Sequence, residues 1–422
     1  MKQSALFTTT KREAPREETS VNARLLEQAG YVDKLMAGVY SYLPLGFRSL
    51  KKVEQIIREE MNAVGGQEML MPALQPKELW DKTGRWEGLR EVMYQFKDHA
   101  KHDVGLGVTH EEVVAKLARQ YVASYKDLPK YVYQIQTKYR FELRPKSGLN
   151  RGREFPMKDL YSLHASIEDL DTYYEKVKES YLKIFERCGL DAKVVEASGG
   201  DFTDEFTHEF QVYTDAGEDH VLYCAGCSFA QNREIAKVKE GDRCPQCDEH
   251  DVQTTRGIEV GNIFKLGTMY SEGIGAYFVD TAGKRQPIIM ASYGIGLSRI
   301  LGTVVEIHHD QKGITWPASI SPYDVHLVSI DRGGKVRDAA EKWYEIIQAA
   351  GASVLFDDRK DVSPGEKFND ADLIGIPIRL VVSARTEEQN GIEWKLREEQ
   401  DGSTVSASEA VTRLKAIHDH AW

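Results

Sequence analysis

Two arginines, a glutamate and a phenylalanine in the middle of the chain could together bind a nucleotide. They are Arg140, Arg151, Glu142 and Phe155. An arginine can hold a phosphate and a carboxylate together, a glutamate can accept from an adenine amine, and an aromatic ring can stack on a base. The sequence has neither a Walker loop nor a G-x-G-x-x-G motif after a strand. Taken alone, however, an Arg-x-Glu pair is more often a surface ion pair.

Four of the five cysteines have the spacing of a metal site. Cys224, Cys227, Cys244 and Cys247 form the pattern C-x2-C-x16-C-x2-C, which is typical of a two-knuckle zinc site. Four thiolates fill a tetrahedral shell and leave no open position, so a structural zinc is expected rather than a catalytic one. The alternative is a set of metal-free cysteines in a reducing compartment. Cys188 ends an amphipathic segment and is expected in the core.

The arginine-rich loop lies between two predicted strands, residues 131–137 and 155–163, which are rich in aromatic and β-branched residues. A solvated hairpin loop is the alternative interpretation. The other predicted elements before residue 316 are a helix at 50–64, a strand at 69–71, a helix from Ser166 to Gly189, strands at 259–266 and 276–280, and a glycine-punctuated segment at 292–299 that leads into a helix reaching Ile307.

Beyond residue 322 the chain alternates between strands and helices. Strands are predicted at 325–330, 354–356 and 378–382, with helices at 335–350 and 366–374 between them. Two prolines and two serines between 316 and 322 mark a boundary. We therefore predict two domains, residues 1–317 and 322–422, the second a small α/β domain with a mixed sheet.

The composition indicates a globular protein and excludes few functions. The chain has 422 residues, 41% of them hydrophobic, and a net charge of −11, which argues mildly against general nucleic-acid binding but leaves local basic sites possible. It has no apolar run of about eighteen residues, and its N-terminus is polar. A cytoplasmic protein without a membrane partner is therefore expected.

Several motifs, in this order along the chain, make it resemble class II aminoacyl-tRNA synthetases, and bacterial prolyl-tRNA synthetases in particular. Residues 47–72 resemble the first class motif, Arg140-Phe-Glu with Arg151-x-x-x-Phe the second, and the segment 292–299 (SYGIGLSR) the third. The proline-specific stretches are THEE at 109–112, RGREFPMKD at 151–159, HEFQ at 208–211 and RGIEVG at 256–261. The resemblance runs from about residue 6 to the C-terminus, and it implies an α+β fold. That fold has an antiparallel-sheet catalytic core, a small zinc-knuckle-like insertion at 220–256, and a C-terminal α/β anticodon-binding domain.

The resemblance also implies a role for individual residues. Arg140 would hold the α-phosphate and the proline carboxylate, and Thr109 and Glu111 would receive the proline imino group. The other implied contacts are Glu142 and Phe155 with adenine, Arg151 and Arg299 with the outer phosphates, Glu259 with Mg²⁺ or ATP, Asn262 with ATP, Glu209 with proline, and Arg144 and Lys146 with the tRNA acceptor end. The implied reaction is ATP-dependent activation of L-proline, with Mg²⁺, followed by transfer to tRNA(Pro), in a homodimer. A side-chain general base is not implied.

Two departures from the family pattern have consequences. Many bacterial relatives carry a large editing domain between the second and third motifs, whereas here the interval from His164 to Ile289 has room only for a helix, a loop and the cysteine knuckles. We therefore expect no editing by this chain. Since a missing methylene is worth only about 1–3 kcal/mol in a pocket, alanine should also be activated. Ser292 stands where many relatives have cysteine, so thiol chemistry at that place does not transfer.

Three other interpretations are compatible with parts of this pattern. One is a class II synthetase for threonine, serine, glycine or histidine. Another is a non-catalytic paralogue that binds tRNA, although it would not need the nucleotide-binding set. The third is a carrier-protein ligase on the same fold, which would normally have no anticodon-binding domain.

Overall fold

The computed structural model describes residues 1–15, 17–143, 145, 147–200, 203, 206–330 and 334–420, without the side chains of residues 335 and 417–420. The chain forms two compact units. The larger unit comprises Met36–Val39 and Glu54–Thr303, and the smaller comprises Met1–Leu35, Tyr40–Val53 and Val304–Trp422. The N-terminal segment thus belongs to the same unit as the C-terminal part. The division into residues 1–317 and 322–422 stays a prediction.

Helices and strands alternate along most of the described chain. The helices are α1 (Val21–Gln28), α2 (Pro44–Ala63), α3 (Lys77–Asp81), α4 (Arg85–Gly88), α5 (Glu111–Tyr121), α6 (Ile167–Arg187), α7 (Met269–Ile274), α8 (Leu297–Ile307), α9 (Lys335–Ala349), α10 (Pro364–Ile374), α11 (Ala384–Glu388) and α12 (Ala407–His420). Within the described ranges, none of them is both long and apolar enough to cross a membrane.

The strands form one large sheet and several small ones. They are β1 (Val32–Met36), β2 (Val39–Tyr42), β3 (Gln67–Glu68), β4 (Leu74–Pro76), β5 (Gln95–Lys97), β6 (Asp103–Leu106), β7 (Lys130–Tyr139), β8 (Glu154–His164), β9 (Ala192–Ala197), β10 (Thr207–Tyr213), β11 (Asp219–Cys224), β12 (Ala230–Asn232), β13 (Val252–Gly267), β14 (Tyr277–Val279), β15 (Arg285–Pro287), β16 (Ile289–Gly296), β17 (Val325–Ile330), β18 (Val354–Asp357), β19 (Ile378–Ser383), β20 (Gly391–Leu396) and β21 (Ser403–Ser406).

A nine-stranded sheet organises the larger unit. Its strand order is β10-β9-β12-β11-β13-β16-β8-β7-β3, with a further pairing of β10 to β13. The central pairs β7–β8, β8–β16 and β16–β13 are antiparallel. The strands predicted at 131–137 and 155–163 are therefore confirmed as parts of β7 and β8, and the α+β fold class is confirmed.

Two predicted elements differ in detail. The strand predicted at 69–71 is wrong, since β3 covers Gln67–Glu68. Met69 N still donates to Tyr133 O at 2.8 Å, but Met71 N donates to the side chain of Gln134, so backbone pairing stops there. The glycine-punctuated segment from Ser292 is strand β16 up to Gly296, and α8 follows at once.

The two faces of the large sheet have different surroundings. One face packs on α6, where Tyr174 Oη donates to Ile263 O over 3.1 Å and the buried Lys158 Nζ contacts Tyr181 Oη. Ser166 caps this helix by accepting from Asp169 N, as its sequence predicts. The strand registers place the following residues together on the opposite face: Lys138, Phe155, Asp159, Tyr161, Ser292, Gly294 and Asn262.

The smaller unit has the predicted α/β pattern. Its five-stranded sheet has the order β18-β17-β19-β20-β21. The first three strands are parallel and the last two antiparallel to their neighbours, which makes a mixed sheet. A core that includes Val325, Trp343, Leu380 and Trp394 lies between this sheet and its helices.

Candidate active site

A β-bulge in β13 brings Glu259 and Asn262 to the same face of the sheet. Phe210 pairs with Gly261, whereas the next residue of β10, Gln211, pairs with Glu259, so Val260 is an extra residue in β13. In a regular strand, residues three apart point to opposite faces. Here Asn262 Nδ2 donates to Glu259 Oε1 over 2.8 Å, so both side chains reach the polar face.

Glycine at position 294 leaves room for two neighbouring side chains on this face. A β-carbon on Gly294 would lie 2.5 Å from Met157 Cε and 2.8 Å from Asn262 Oδ1. Any larger residue would therefore displace the ends of these two side chains. Met157 and Asn262 thus meet above Gly294, on the face that also carries Phe155.

Arg140 lies beside Phe155 on this face of the sheet. Its Nη2 donates to Val108 O over 3.3 Å, and its guanidinium lies 5.5 Å from the centre of the Phe155 ring. Burial and the neighbouring Arg299 lower the pKa of Arg140. Two half-buried guanidinium groups that repel each other form a site for an anion.

The other two arginines of the predicted set are paired with carboxylates. Arg299 Nη1 lies 2.5 Å from Glu259 Oε2, and Arg299 Nε donates to Asn150 O over 2.9 Å. Arg151 Nε lies 3.0 Å from Glu142 Oε2. Both arginines therefore have acidic partners that an incoming phosphate group would have to replace.

Two adjoining cavities connect these residues. One, of about 250 Å³, is lined by residues that include Glu142, Asn150, Arg151, Glu259 and Arg299. The other, of about 50 Å³, is lined by residues that include Arg140, Phe155, Asn262, Gly294, Glu259 and Arg299. Since Glu259 and Arg299 line both, the structure brings together all the residues that the sequence assigns to ATP.

Thr109 and Glu111 lie together at the start of α5. Thr109 Oγ1 lies 2.7 and 2.5 Å from the two carboxylate oxygens of Glu111, and Ser292 Oγ donates to Oε1 over 3.1 Å. Glu111 is fully buried in the first turn of the helix, where the helix dipole favours a negative charge. Arg140 donates to the carbonyl oxygen of Val108, the residue before Thr109. The segment 108–111 therefore links Arg140 to the Glu111 carboxylate.

A buried polar network supports this segment. Tyr161 Oη accepts from His110 N over 3.0 Å and donates to Asp159 Oδ2 over 2.9 Å. Lys138 Nζ lies 2.7 Å from Asp159 Oδ1 and 3.0 Å from His110 Nδ1. Burial and the Lys138 charge lower the pKa of His110 to about 4. The ring is therefore neutral at pH 7, accepts from Lys138 at Nδ1 and donates from Nε2 to Pro72 O, 3.0 Å away.

Glu209 lies in a second group of carboxylates. Gln211 Nε2 donates to Glu209 Oε2 over 2.9 Å and to Asp219 Oδ2 over 2.8 Å. Burial, with the nearby charge of Glu259, raises the pKa of Glu209 to about 8, and burial raises the pKa of Asp219. Glu209 therefore lies on the Glu259 side of the site, and its predicted contact with proline stays a prediction. Arg144 and Lys146, predicted to contact tRNA, are outside the described residues.

The four cysteines of the predicted metal site converge. Their sulfurs all lie within 4.8 Å of one another, with Cys224–Cys247 at 3.7 Å and Cys227–Cys244 at 3.6 Å. Tetrahedral zinc with Zn–S bonds of about 2.3 Å needs sulfurs about 3.8 Å apart, so the arrangement fits this ion. His250 Nδ1 lies 3.9 Å from Cys247 Sγ.

The cysteine cluster is connected to the candidate active site by two strands. Cys224 ends β11, the strand that begins at Asp219, and Val252, packed on the cluster, begins β13, which carries Glu259. Cys224 pairs with Val252 in the antiparallel β11–β13 ladder, so the cysteine cluster lies at the end of the two strands that carry Asp219 and Glu259.

Some residues of this site were not found from the sequence. They include Asn150, Lys138, Asp159, Asp219 and Arg85. One pattern in the sequence could have indicated Lys138. Every second position at the end of β7 is polar (Gln134, Gln136 and Lys138), whereas a central strand normally carries apolar residues there.

Comparison with known proteins identifies the family of the chain. A family model for the tRNA synthetase class II core domain (G, H, P, S and T) matches residues 94–308, and a model for an anticodon binding domain matches residues 324–417. Fold, site and family models together define a class II aminoacyl-tRNA synthetase. A proline–tRNA ligase of Dehalococcoides mccartyi (strain CBDB1) is 34% identical over 99% of both chains, and one of Syntrophus aciditrophicus (strain SB) is 35% identical over 96% of both. The chain belongs to the proline–tRNA ligase family.

Solved structures show the same fold at lower identity. A prolyl-tRNA synthetase of Cryptosporidium parvum complexed with halofuginone and AMPPNP has a TM-score of 0.79 at 16% identity, over 95% of this chain and 77% of that one. A Giardia lamblia prolyl-tRNA synthetase in complex with prolyl-adenylate has a TM-score of 0.76 at 19% identity, over 92% and 73%.

Proposed function

We propose that the chain activates L-proline with ATP to prolyl-adenylate and transfers the prolyl group to the 3′-terminal adenosine of tRNA(Pro). The observation that carries this proposal is the link between Arg140 and Glu111. Arg140 holds the carbonyl of Val108, and the next residue, Thr109, holds the Glu111 carboxylate. A zwitterion with a carboxylate at one end and a cationic imino group at the other fits between these two charges.

The chemistry needs positioning and charge compensation rather than a protein nucleophile. The proline carboxylate attacks the α-phosphorus of ATP in line with the leaving pyrophosphate, and negative charge grows on the phosphate oxygens. Arg140 is placed to hold the α-phosphate and the proline carboxylate, and Arg299 and Arg151 to hold the outer phosphates. Phe155 stacks on adenine, and Glu142 accepts from its amine.

For these contacts to form, the ion pairs of the free site must exchange partners. Arg299 leaves Glu259 for a phosphate, and Glu259 becomes available as a ligand for Mg²⁺, which neutralises phosphate charge when bound. Asn262, hydrogen-bonded to Glu259, lies on the same ATP side. The Giardia lamblia enzyme is described in complex with prolyl-adenylate, which supports the proposed product of the first step.

The cysteine cluster is proposed to hold a structural Zn²⁺. The sulfur–sulfur separations fit the ion. The cluster lies where β11 ends and β13 begins, so the metal would stabilise the two strands that carry Asp219 and Glu259. No side chain other than the four thiolates is needed as a ligand.

The partners follow from the family. The domain at residues 324–417 would read the anticodon through hydrogen bonds to unstacked bases, and Arg144 and Lys146 would contact the acceptor end. A homodimer and a cytoplasmic location complete the proposal. Arg144→Ala is expected to weaken tRNA charging while proline-dependent pyrophosphate exchange is retained; equal losses in both would contradict the assignment.

Editing by this chain is not expected. The alignment with the Dehalococcoides mccartyi enzyme extends over 563 residues, whereas this chain has 422, so at least 141 aligned positions (563 less 422) have no counterpart here. This supports the proposal that a domain-sized insertion is missing. The purified chain should form alanyl-adenylate and leave alanyl-tRNA(Pro) intact; deacylation of that tRNA would overturn the proposal.

The decisive experiment compares ATP–pyrophosphate exchange across proline, alanine, glycine, serine, threonine and histidine, followed by charging of tRNA(Pro). The highest kcat/KM should be found with proline. A higher value with another of these amino acids would assign the chain to a different class II specificity, and exchange with none of them would indicate a tRNA-binding paralogue.

A further inference from the structure

Two adjacent buried glutamates begin helix α5, and a single arginine lies beside both. Glu111 and Glu112 are both fully buried. Arg85 Nη1 lies 2.9 Å from Glu112 Oε1 and 3.7 Å from Glu111 Oε2. Thr83 Oγ1 also donates to Glu112 Oε1, over 2.9 Å. Arg85 is therefore bound primarily to Glu112 and only approaches Glu111.

The arginine is held in place by aromatic rings. Its guanidinium carbon lies 5.3 Å from the centre of the Trp80 ring and 5.2 Å from that of the Tyr270 ring. Such contacts stabilise a cation and restrict its position. Arg85 itself is about nine-tenths buried, with a relative exposure of 9%. Its charge is thus a permanent part of the pocket.

Apart from Arg140, which also acts on Glu111 and is proposed to bind the carboxylate end of the amino acid, the charges around Glu111 add up to one unit of negative charge. Glu111 and Glu112 contribute two negative charges and Arg85 one positive charge, while the Lys138–Asp159 pair is neutral as a unit. A buried net charge is costly unless a partner neutralises it. This end of the pocket can therefore neutralise one cation, and Glu111 is the carboxylate that Arg85 holds less closely.

We propose that Arg85 and Glu112 set the charge of the amino acid pocket. Because Glu112 forms the close ion pair with Arg85, Glu111 keeps its full negative charge for a cationic imino group. Arg85 and Glu112 are positioning residues, because they act on the amino acid only through Glu111, which Arg85 approaches and which Thr109 and Ser292 also contact. The inference rests on the proposed binding of the proline imino group by Glu111.

The test is a charge-neutral double substitution. In Glu112→Gln, Arg85 loses its carboxylate partner and turns to Glu111, which neutralises the pocket; KM for proline should rise about tenfold or more, with KM for ATP changed by less than about twofold. In Arg85→Met/Glu112→Gln, the pocket has the wild-type net charge again, and KM for proline should return to within about threefold of wild type. Glu91→Gln, at an exposed glutamate, is the matched control.

The KM for proline of the two variants decides whether the inference holds. An unchanged KM for proline in Glu112→Gln, or a double variant no better than the single one, overturns the inference. If Glu112→Gln alone does not fold, as judged by circular dichroism, the double variant must still bind proline with near wild-type KM, and failure there overturns it as well. Absence of proline-dependent exchange in the wild type would instead refute the proposed function.

Discussion

Arg299 Nη1 lies 2.5 Å from Glu259 Oε2 and 3.1 Å from the carbonyl oxygen of the same residue. The arginine comes from the first turn of α8 and the glutamate from the bulged part of β13. In the free site the guanidinium is therefore held by a carboxylate at the edge of both cavities. Under the proposed assignment, binding of ATP would open this pair, and each partner would take a new one.

Replacing Arg299 by lysine should weaken ATP binding. Lysine keeps the charge but lacks the planar fork that can hold a phosphate with two parallel hydrogen bonds. We expect KM for ATP to rise about tenfold and KM for proline to change by less than about twofold, measured by pyrophosphate exchange. Arg90→Lys, at an exposed arginine, is the control. Equal effects on both substrates would show that Arg299 acts on the fold instead.

Ser292→Ala should weaken proline binding. The serine hydroxyl donates to Glu111 Oε1 over 3.1 Å in a buried site, and a hydrogen bond to a charged group is worth about 1.5–3 kcal/mol. We expect KM for proline to rise about tenfold. The melting temperature should fall by a few degrees, because the same hydrogen bond stabilises the folded chain. Ser292→Cys should give an intermediate value, because a thiol is a weaker donor. An alanine variant with wild-type KM would exclude this contact from substrate binding.

The raised pKa of Glu209 predicts a pH-dependent stability. Its folded-state pKa of about 8 exceeds the ordinary value of 4.5, so the folded protein keeps a proton that the unfolded chain releases. Between these values, stability falls as pH rises. Glu209→Gln resembles the protonated form and should lose less stability between pH 5.5 and 8.5 than the wild type. Parallel melting curves over this range would contradict the prediction.

Removal of the metal should affect the ATP side of the site more than the proline side. We expect the purified protein to contain about one zinc per chain by elemental analysis. Cys244→Ser should lower the zinc content and the melting temperature, and raise KM for ATP more than KM for proline, because β11 and β13 carry Asp219 and Glu259. Glu240→Gln, at an exposed glutamate in the same segment, is the control. Full thermal stability without metal would argue against a structural zinc.

Local patterns predicted much of this fold. The strand–loop–strand around Arg140, the helix capped by Ser166 and the alternation of strands and helices after residue 322 were all readable from short segments, because each depends on neighbouring residues. The cysteine spacing predicted a four-sulfur cluster for the same reason. The ends of the strands are harder to predict from local patterns. Strand β3 ends at Glu68, and at Met71 a hydrogen bond to the side chain of Gln134 replaces backbone pairing.

The sequence by itself determined which residues could do the chemistry, because residue type fixes charge, hydrogen-bonding capacity and metal preference. Only the tertiary structure decided which of them meet. Ser292 and Glu111 are 181 positions apart, and their contact depends on the register of β16 beside β8 and on where α5 begins. The bulge at Val260 also depends on the tertiary structure. This single extra residue turns Glu259 toward Asn262, and the pairing of β13 with β10, rather than the local sequence, sets the position of the bulge.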